Sequence, residues 1–214
     1  MTRMGARRLA AVVGLAYCAG ALTAHWTWSR MTADLPAGNS EVVATEVRPA
    51  APPAHTEPTA TATIGEGKAI DELQDQNLLL PVDGVDASDL RPGFTESRGG
   101  RAHEAIDILA PRDTPVRAVT DGHIVKLFSS ARGGITIYQF DANEEYCYYY
   151  AHLERYAEGL IEGTRVERGQ IIGYVGTSGN APPETPHLHF AIFALGPEKQ
   201  WWEGTPIDPY PALR

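Results

Sequence analysis

Four histidines and one aspartate have residue types and spacings suited to metal-dependent chemistry. His187 and His189 are separated by one residue, and His103 precedes Asp107 by four positions. Imidazole and carboxylate groups are common zinc ligands. If three of these groups bind zinc, a tetrahedral ion keeps one position open for water, whereas a structural site closes it with a fourth protein ligand. The two spare histidines, His152 and His187, could then handle protons beside the metal. The set predicts a hydrolase.

The histidine pair lies in a segment with the alternation of a β-strand. In His187–Phe193 both histidines would share one face, because successive side chains of a strand point to opposite faces. The apolar residues of the other face would be Leu188, Phe190 and Ile192. The same rule places His152 on one face with Tyr148 and Tyr150. We therefore expect two strands to direct histidines into one groove.

His103 and Asp107 need a bend in the chain to bind one ion. Fully extended, they would lie about 13 Å apart at roughly 3.3 Å per residue. A single helical turn would also bring them together. Because Ile106–Leu109 has the composition of a strand start, the sequence favours a histidine in a loop and an aspartate on a strand.

Short apolar runs separated by turn residues predict a mainly β domain over residues 76–214. The expected strands are Leu78–Val82, Ile106–Ala110, Val116–Val119, His123–Phe128, Ile135–Phe140, Tyr146–Leu153, Ile171–Val175 and His187–Phe193. Asp121-Gly122 lies between two runs and predicts a hairpin turn. Many short strands at close spacing favour an antiparallel sheet with a sandwich-like arrangement.

Residues 1–30 are typical of an export signal. Arg7 and Arg8 precede the uncharged apolar stretch Leu9–Ala24. Sixteen residues suit a cleaved signal peptide, but Trp26 and Trp28 could complete an uncleaved anchor in which residues 9–28 contact the cytoplasmic membrane. Both alternatives predict an exported protein that acts in the periplasm or cell envelope.

Residues 31–75 predict a linker between this signal and the β domain. The segment is rich in Ala, Pro and Thr and has few large apolar residues, so it cannot bury enough surface to order itself. A short helix is expected near Ala69–Gln76. The net charge of −9 argues against nucleic acid as a partner, since that binding depends on Lys and Arg. The oligomeric state is left open.

Five motifs occur in the order found in M23 (LytM/lysostaphin-type) zinc metalloendopeptidases, and the chain resembles that family from about Leu78 to Pro211. The motifs are Gly100-Arg101-Ala102-His103-Glu104-Ala105-Ile106-Asp107-Ile108, Ala110-Pro111-Arg112-Asp113-Thr114-Pro115-Val116, Tyr150-Ala151-His152-Leu153, Gly169-Gln170-Ile171-Ile172-Gly173 and Pro186-His187-Leu188-His189-Phe190. The resemblance implies the duplicated-hybrid-motif fold of that family.

The resemblance also implies a role for each site residue. His103, Asp107 and His189 would bind one zinc ion, whereas His152 and His187 would be catalytic residues outside the metal's ligand set. Which of the two is the general base stays open. Many family members have glycine where Ala105 and Asp113 stand. Neither difference removes a chemical group from the site, and aspartate tolerates a left-handed turn better than most residues.

The function implied by the resemblance is zinc-dependent hydrolysis of peptide cross-links in bacterial peptidoglycan by a metal-activated water. Its partners would be peptidoglycan peptide stems. The alternative is a membrane-tethered, non-catalytic module that regulates a murein hydrolase or binds the wall. The ring tautomers of the histidines require hydrogen-bond partners that the sequence does not identify.

Overall fold

The computed structural model describes residues 63–214. The predicted signal or anchor segment and most of the predicted linker lie outside the described residues. The helices are α1 (Thr63–Asp75), a 3-10 turn (Ala87–Asp89) and α2 (Pro209–Ala212). The strands are β1 (Ser97–Arg98), β2 (Arg101–Ala102), β3 (Ile106–Leu109), β4 (Pro115–Arg117), β5 (Gly122–Ser130), β6 (Gly134–Asp141), β7 (Tyr146–Tyr156), β8 (Arg165–Val166), β9 (Ile171–Val175), β10 (His187–Ala194) and β11 (Thr205–Ile207).

Nine strands form one antiparallel sheet, and β1 and β2 form a separate two-stranded ribbon. The main path of the sheet runs β11-β10-β7-β6-β5-β8. The long strand β7 pairs with β6 along one edge and with β10 and then β9 along the other, while β3 pairs with β10 and β4 with β9. The mainly β, antiparallel fold predicted from the sequence is confirmed.

The hydrophobic core covers one face of the central strands. Leu188, Phe190 and Ile192 of β10 are fully buried, and Tyr148 stacks on Phe190 with ring centroids 6.5 Å apart. Because side chains alternate along β10, His187 and His189 point to the opposite face. We call this opposite face the site face. The burial of the apolar alternate positions thus fixes the direction of both histidines.

His152 reaches the site face through an irregularity in β7, and the predicted face for this residue is wrong. Regular alternation would place it with Tyr150, which is fully buried in the core. Instead, the pairing register with β6 shifts in this region and His152 adopts a φ of 59°. A β-bulge adds one residue to a strand and re-aims the side chains beside it. The bulge therefore turns His152 toward His187.

Helix α1 occupies the end of the segment predicted as linker. Its Leu73 is fully buried within the core cluster, and Tyr146 of β7 donates a hydrogen bond to Glu72 over 2.7 Å. The helix begins at Thr63, earlier than the Ala69 expected from the sequence. Structure that packs on the sheet thus begins before residue 76. Across residues 63–214, no helix is both long and apolar enough to cross a membrane.

The hairpin predicted at Asp121-Gly122 does not form. Strand β4 pairs with β9, whereas β5 pairs with β6 and β8. Gly122 has another physical role, because a Cβ at that position would lie 1.9 Å from the carbonyl oxygen of Phe140. The glycine permits close approach of two backbones. The predicted strand Leu78–Val82 is also wrong, since the segment contributes a bridge between Val82 and Val116 and separate backbone hydrogen bonds without forming a strand.

Candidate metal centre and active site

His103, Asp107 and His189 converge on one point. His103 Nε2 lies 3.0 Å from His189 Nδ1, and each of these nitrogens lies 3.2 Å from Asp107 Oδ1. Ligands about 2.05 Å from a tetrahedral zinc ion would lie roughly 3.3 Å apart. The separations of these three atoms therefore fit a zinc ion. Within residues 63–214, these three residues are the one cluster of three or more histidine, cysteine or carboxylate side chains whose possible ligand atoms lie this close together.

A sharp bend places His103 beside Asp107. His103 follows β2, whereas Asp107 lies on β3 and pairs with His189 of β10. Between them Glu104 adopts a left-handed φ of 53°, and the chain bends at Ala105. The predicted arrangement of a loop histidine and a strand aspartate is therefore found. Ala105, which follows Glu104, is fully buried.

Two neighbouring groups orient the ligand atoms. The Nδ1 of His103 lies 3.2 Å from the carbonyl oxygen of Gly93, so an Nδ1–H donor would leave Nε2 free to bind a metal. Arg98 of β1 donates through Nη1 to Asp107 Oδ2 over 2.7 Å and through Nη2 to Glu96. Asp107 thus offers Oδ1 to the metal position while Oδ2 is held by a cation.

The protonation states of Asp107 and His189 suit metal binding. Burial of Asp107 opposes ionisation, but hydrogen bonds with His103 and His189 hold the pKa of its carboxyl far below the usual range. Burial lowers the pKa of His189, although the neighbouring Asp107 partly opposes that shift. Metal ions bind carboxylates and neutral imidazoles. Both shifts favour the ionisation states that metal binding requires of Asp107 and His189.

His152 and His187 form a second pair beside the three ligand residues. Their ring centroids lie 5.0 Å apart, and His152 lies 5.5 Å from the ring of His189. Both side chains are anchored in the same way: Nδ1 of His152 lies 2.9 Å from the Ser178 carbonyl oxygen, and Nδ1 of His187 lies 2.8 Å from that of Thr185. A donating Nδ1–H in each ring leaves Nε2 able to accept a proton.

The environment keeps His152 neutral near pH 7. Its residue surface is 7% exposed, and this burial, with the neighbouring His189 and His187, lowers the pKa of its imidazole to about 4. The hydrogen bond with Ser178 opposes the shift. His187 directs Nε2 toward the ligands, 3.8 Å from Asp107 Oδ1. The two rings can thus accept and return protons next to the metal position.

Aromatic side chains continue the site face beyond His189. The ring of Tyr149 lies 6.0 Å from that of His189 in an edge-to-face contact, and Tyr138 pairs with Tyr149 across β6 and β7. Trp201, from the β10–β11 connection, packs 4.7 Å from Tyr138 and 5.2 Å from Trp202. These residues border a cavity of about 80 Å³.

The structure brings together all five residues singled out from the sequence: His103, Asp107, His152, His187 and His189. Sequence reasoning did not identify Arg98 or the carbonyl groups of Gly93, Ser178 and Thr185. The paired glycines at 99 and 100, both with positive φ, were the available signal for the β1–β2 turn that positions Arg98. Contacts with backbone carbonyls cannot be predicted from side-chain types, because every residue has a carbonyl group.

Comparison with known proteins identifies relatives for this region. An L-Ala–D-Glu endopeptidase from Bacillus subtilis is 39% identical over 121 residues, covering 54% of this chain and 36% of the relative. The peptidoglycan DD-endopeptidase ShyC from Vibrio cholerae is 35% identical over 100 residues, covering 46% of this chain and 22% of the relative. The chain thus spans about a third or less of the length of these curated relatives.

A solved structure and a family profile agree with these relatives. The structure of Helicobacter pylori Csd3 superposes with a TM-score of 0.50 and 26% identity, covering 64% of this chain and 34% of that chain. The profile of peptidase family M23 matches residues 101–209, half of the chain and the part that holds all five residues of the site. The chain belongs to peptidase family M23.

Proposed function

We propose that this protein is a zinc-dependent endopeptidase that hydrolyses peptide cross-links of bacterial peptidoglycan outside the cytoplasmic membrane. The observation that carries the proposal is the convergence of His103, Asp107 and His189 beside the anchored pair His152 and His187. Family membership and relatives named as endopeptidases support the same reaction. The predicted export segment supports the location.

In this proposal the five side chains divide the chemistry. His103, Asp107 and His189 would hold zinc, which when bound supplies a Lewis acid that lowers the pKa of water and polarises a carbonyl. Neutral His152 can accept the proton of the attacking water through Nε2. His187 faces the same space, where its ring, once Nε2 has taken up a proton, can stabilise the developing oxyanion or give that proton to the leaving amine. The roles of the two histidines are separable by substitution.

The non-catalytic alternative is not favoured. A module that only regulates a murein hydrolase or binds the wall needs neither a convergent ligand set nor two imidazoles anchored through Nδ1. Zinc binding in a catalytic site is also expected to keep one position open, which three protein ligands achieve. Both features support catalysis.

Zinc content and release of peptides from purified sacculi test the proposal. The full-length protein should bind about one zinc ion and release peptide fragments. His187→Ala should retain zinc but lose most activity, whereas His189→Ala should lose both. Wild-type activity in His187→Ala would contradict the assigned roles. Zinc binding without any peptide release by the wild-type protein would support the non-catalytic alternative.

A further inference from the structure

We propose that the aromatic cavity next to the metal centre binds a primary alkylammonium group, carried by the diamino acid of a peptide substrate. The cavity is lined by Tyr138, Tyr149, Phe193, Trp201, Trp202 and Glu203. This inference rests on the proposed function, because it identifies a chemical group of the peptide that the site would cleave. It assigns a binding role to the Trp201-Trp202 pair.

The cavity and the metal centre share one face of the sheet. Phe193 lies four positions beyond His189 on β10, so both side chains point to the site face. Ala191 lies between them and pairs with Tyr149 on β7. Ala191 is buried, and the ring of Tyr149 lies 6.0 Å from that of His189, so Tyr149 links the metal position to the cavity. A substrate that crosses the ligands along β10 would therefore continue toward the cavity.

The distance between the metal position and the cavity determines which residue of a substrate could place its side chain in the cavity. Four residues of strand cover roughly 13 Å, and an extended peptide has nearly the same rise of about 3.3 Å per residue. The ring of Tyr149, which lines the cavity, lies only 6.0 Å from that of His189, so the entering side chain would belong to a residue about two to four positions from the scissile bond. A long side chain could reach the cavity from a nearer position. The terminal amine of a diamino acid has such reach.

The volume of the cavity suits a small group of a substrate better than a whole ligand. At about 80 Å³, the cavity is well below the roughly 300–1,000 Å³ of pockets that enclose whole small molecules. The ring of Trp202 meets that of Trp201 at 82°, and Trp201 meets Tyr138 at 67°. Rings at such steep angles do not lie in one plane. They do not form the single platform on which a sugar ring could stack.

The chemistry of the walls favours a cation. Aromatic faces carry negative electrostatic potential and attract ammonium groups, with Trp the strongest. Glu203 adds a carboxylate at the rim, where it is exposed to solvent. The chain as a whole carries a net charge of −9. An uncharged alkyl group would gain from the rings but not from Glu203, so charge is the property that the cavity can recognise.

Paired substrates that differ only in the amine test the proposal. The full-length, zinc-loaded protein would be given defined muropeptides with a free side-chain amine and the same muropeptides after N-acetylation. We expect acetylation to raise KM about 3- to 30-fold, as the strength of cation–π contacts implies. Lysine-containing and diaminopimelate-containing stems form separate arms, which identify the source of the ammonium group. Equal KM for free and acetylated substrates in both arms would overturn the proposal.

Variants of Trp202 and Glu203 distinguish recognition of the ammonium group from a role in packing alone. Trp202→Ala and Glu203→Gln should each raise KM for the free amine and leave the acetylated substrate nearly unchanged. The control is Tyr174→Ala, which removes an aromatic ring that stacks on Arg155 outside the cavity. Glu203 is exposed, so its variant tests the idea even if Trp202→Ala fails to fold. An equal loss for both substrates in Glu203→Gln would refute recognition of charge.

A binding measurement keeps the inference independent of catalysis. Tryptophan fluorescence would be titrated with a lysine peptide and its N-acetylated form, using zinc-loaded His187→Ala so that no substrate is consumed. Saturable quenching by the free amine alone, lost in Trp202→Ala, would support the cavity even if no cross-link were cleaved. Identical curves for both peptides would overturn it. Failure of peptide release by the wild-type protein would count against the proposed function instead.

Discussion

Arg98 holds the oxygen of Asp107 that faces away from the metal position. Its Nη1 donates to Oδ2 over 2.7 Å, while Oδ1 lies 3.2 Å from the ligand nitrogens of His103 and His189. The β1–β2 ribbon that carries Arg98 leads directly into His103. One short ribbon thus leads into one proposed ligand and orients a second.

Removing this contact should weaken zinc binding. Arg98→Ala frees Asp107 to rotate, and loss of a partner behind a metal ligand typically lowers affinity about 10- to 100-fold. Competition with a chromogenic chelator measures the dissociation constant directly. Arg101→Ala is the matched control, because Arg101 lies opposite Arg98 in the ribbon. Equal affinities in the two variants would show that Arg98 does not position Asp107.

The two histidines of β10 should respond differently to substitution. His189→Ala removes a ligand, so both zinc and activity should be lost. His187→Ala should keep about one zinc per chain while kcat/KM falls about 10²- to 10⁴-fold, the usual contribution of an acid–base group. Zinc analysis and kinetics on the same samples provide the comparison. His123→Ala, on β5, should change neither, and loss of zinc from His187→Ala would contradict its assignment.

His152 should titrate far below the usual histidine range in the metal-free protein. Burial lowers the pKa of its imidazole to about 4, so nitrogen chemical shifts should place its midpoint near that pH. Between about pH 6.5 and 4 the unfolded chain binds a proton that the folded site rejects, so falling pH should reduce the free energy of unfolding over that window. His152→Gln should lose this part of the pH dependence. A midpoint near 6.5 would contradict the assigned environment.

Helix α1 should stabilise the β domain. Leu73 is fully buried, so Leu73→Ala should lower the free energy of unfolding by about 2–5 kcal/mol. Ile161→Ala is the control, since Ile161 is 66% exposed and its truncation should cost no more than about 0.5 kcal/mol. Denaturant unfolding of the two full-length variants measures the difference. Equal stabilities would place α1 outside the cooperative unit.

The sequence predicts the parts of this site that local patterns control. Alternation along β10 predicts that His187 and His189 share a face, because burying Leu188 and Phe190 leaves no other choice. The composition of Ile106–Leu109 similarly predicts a strand that carries Asp107.

Non-local contacts decide the features that the sequence did not predict. The bulge that redirects His152 depends on the pairing of β7 with β6 and β9, and so does not appear in the alternation of its own strand. The sequence predicts Gly122 as a turn residue, but in the structure the glycine permits the backbone to lie close to that of Phe140. Arg98 contacts Asp107 only after the ribbon has folded. These features follow from partners distant in the chain.

Mass spectrometry of defined cross-linked muropeptides after incubation with the zinc-loaded, full-length protein tests the central claim most directly. We predict fragments whose masses correspond to addition of one water across a peptide bond, formed by the wild-type protein and not by His189→Ala. Intact muropeptides after incubation with protein that has bound zinc, or fragments cut only within the glycan, would contradict the account.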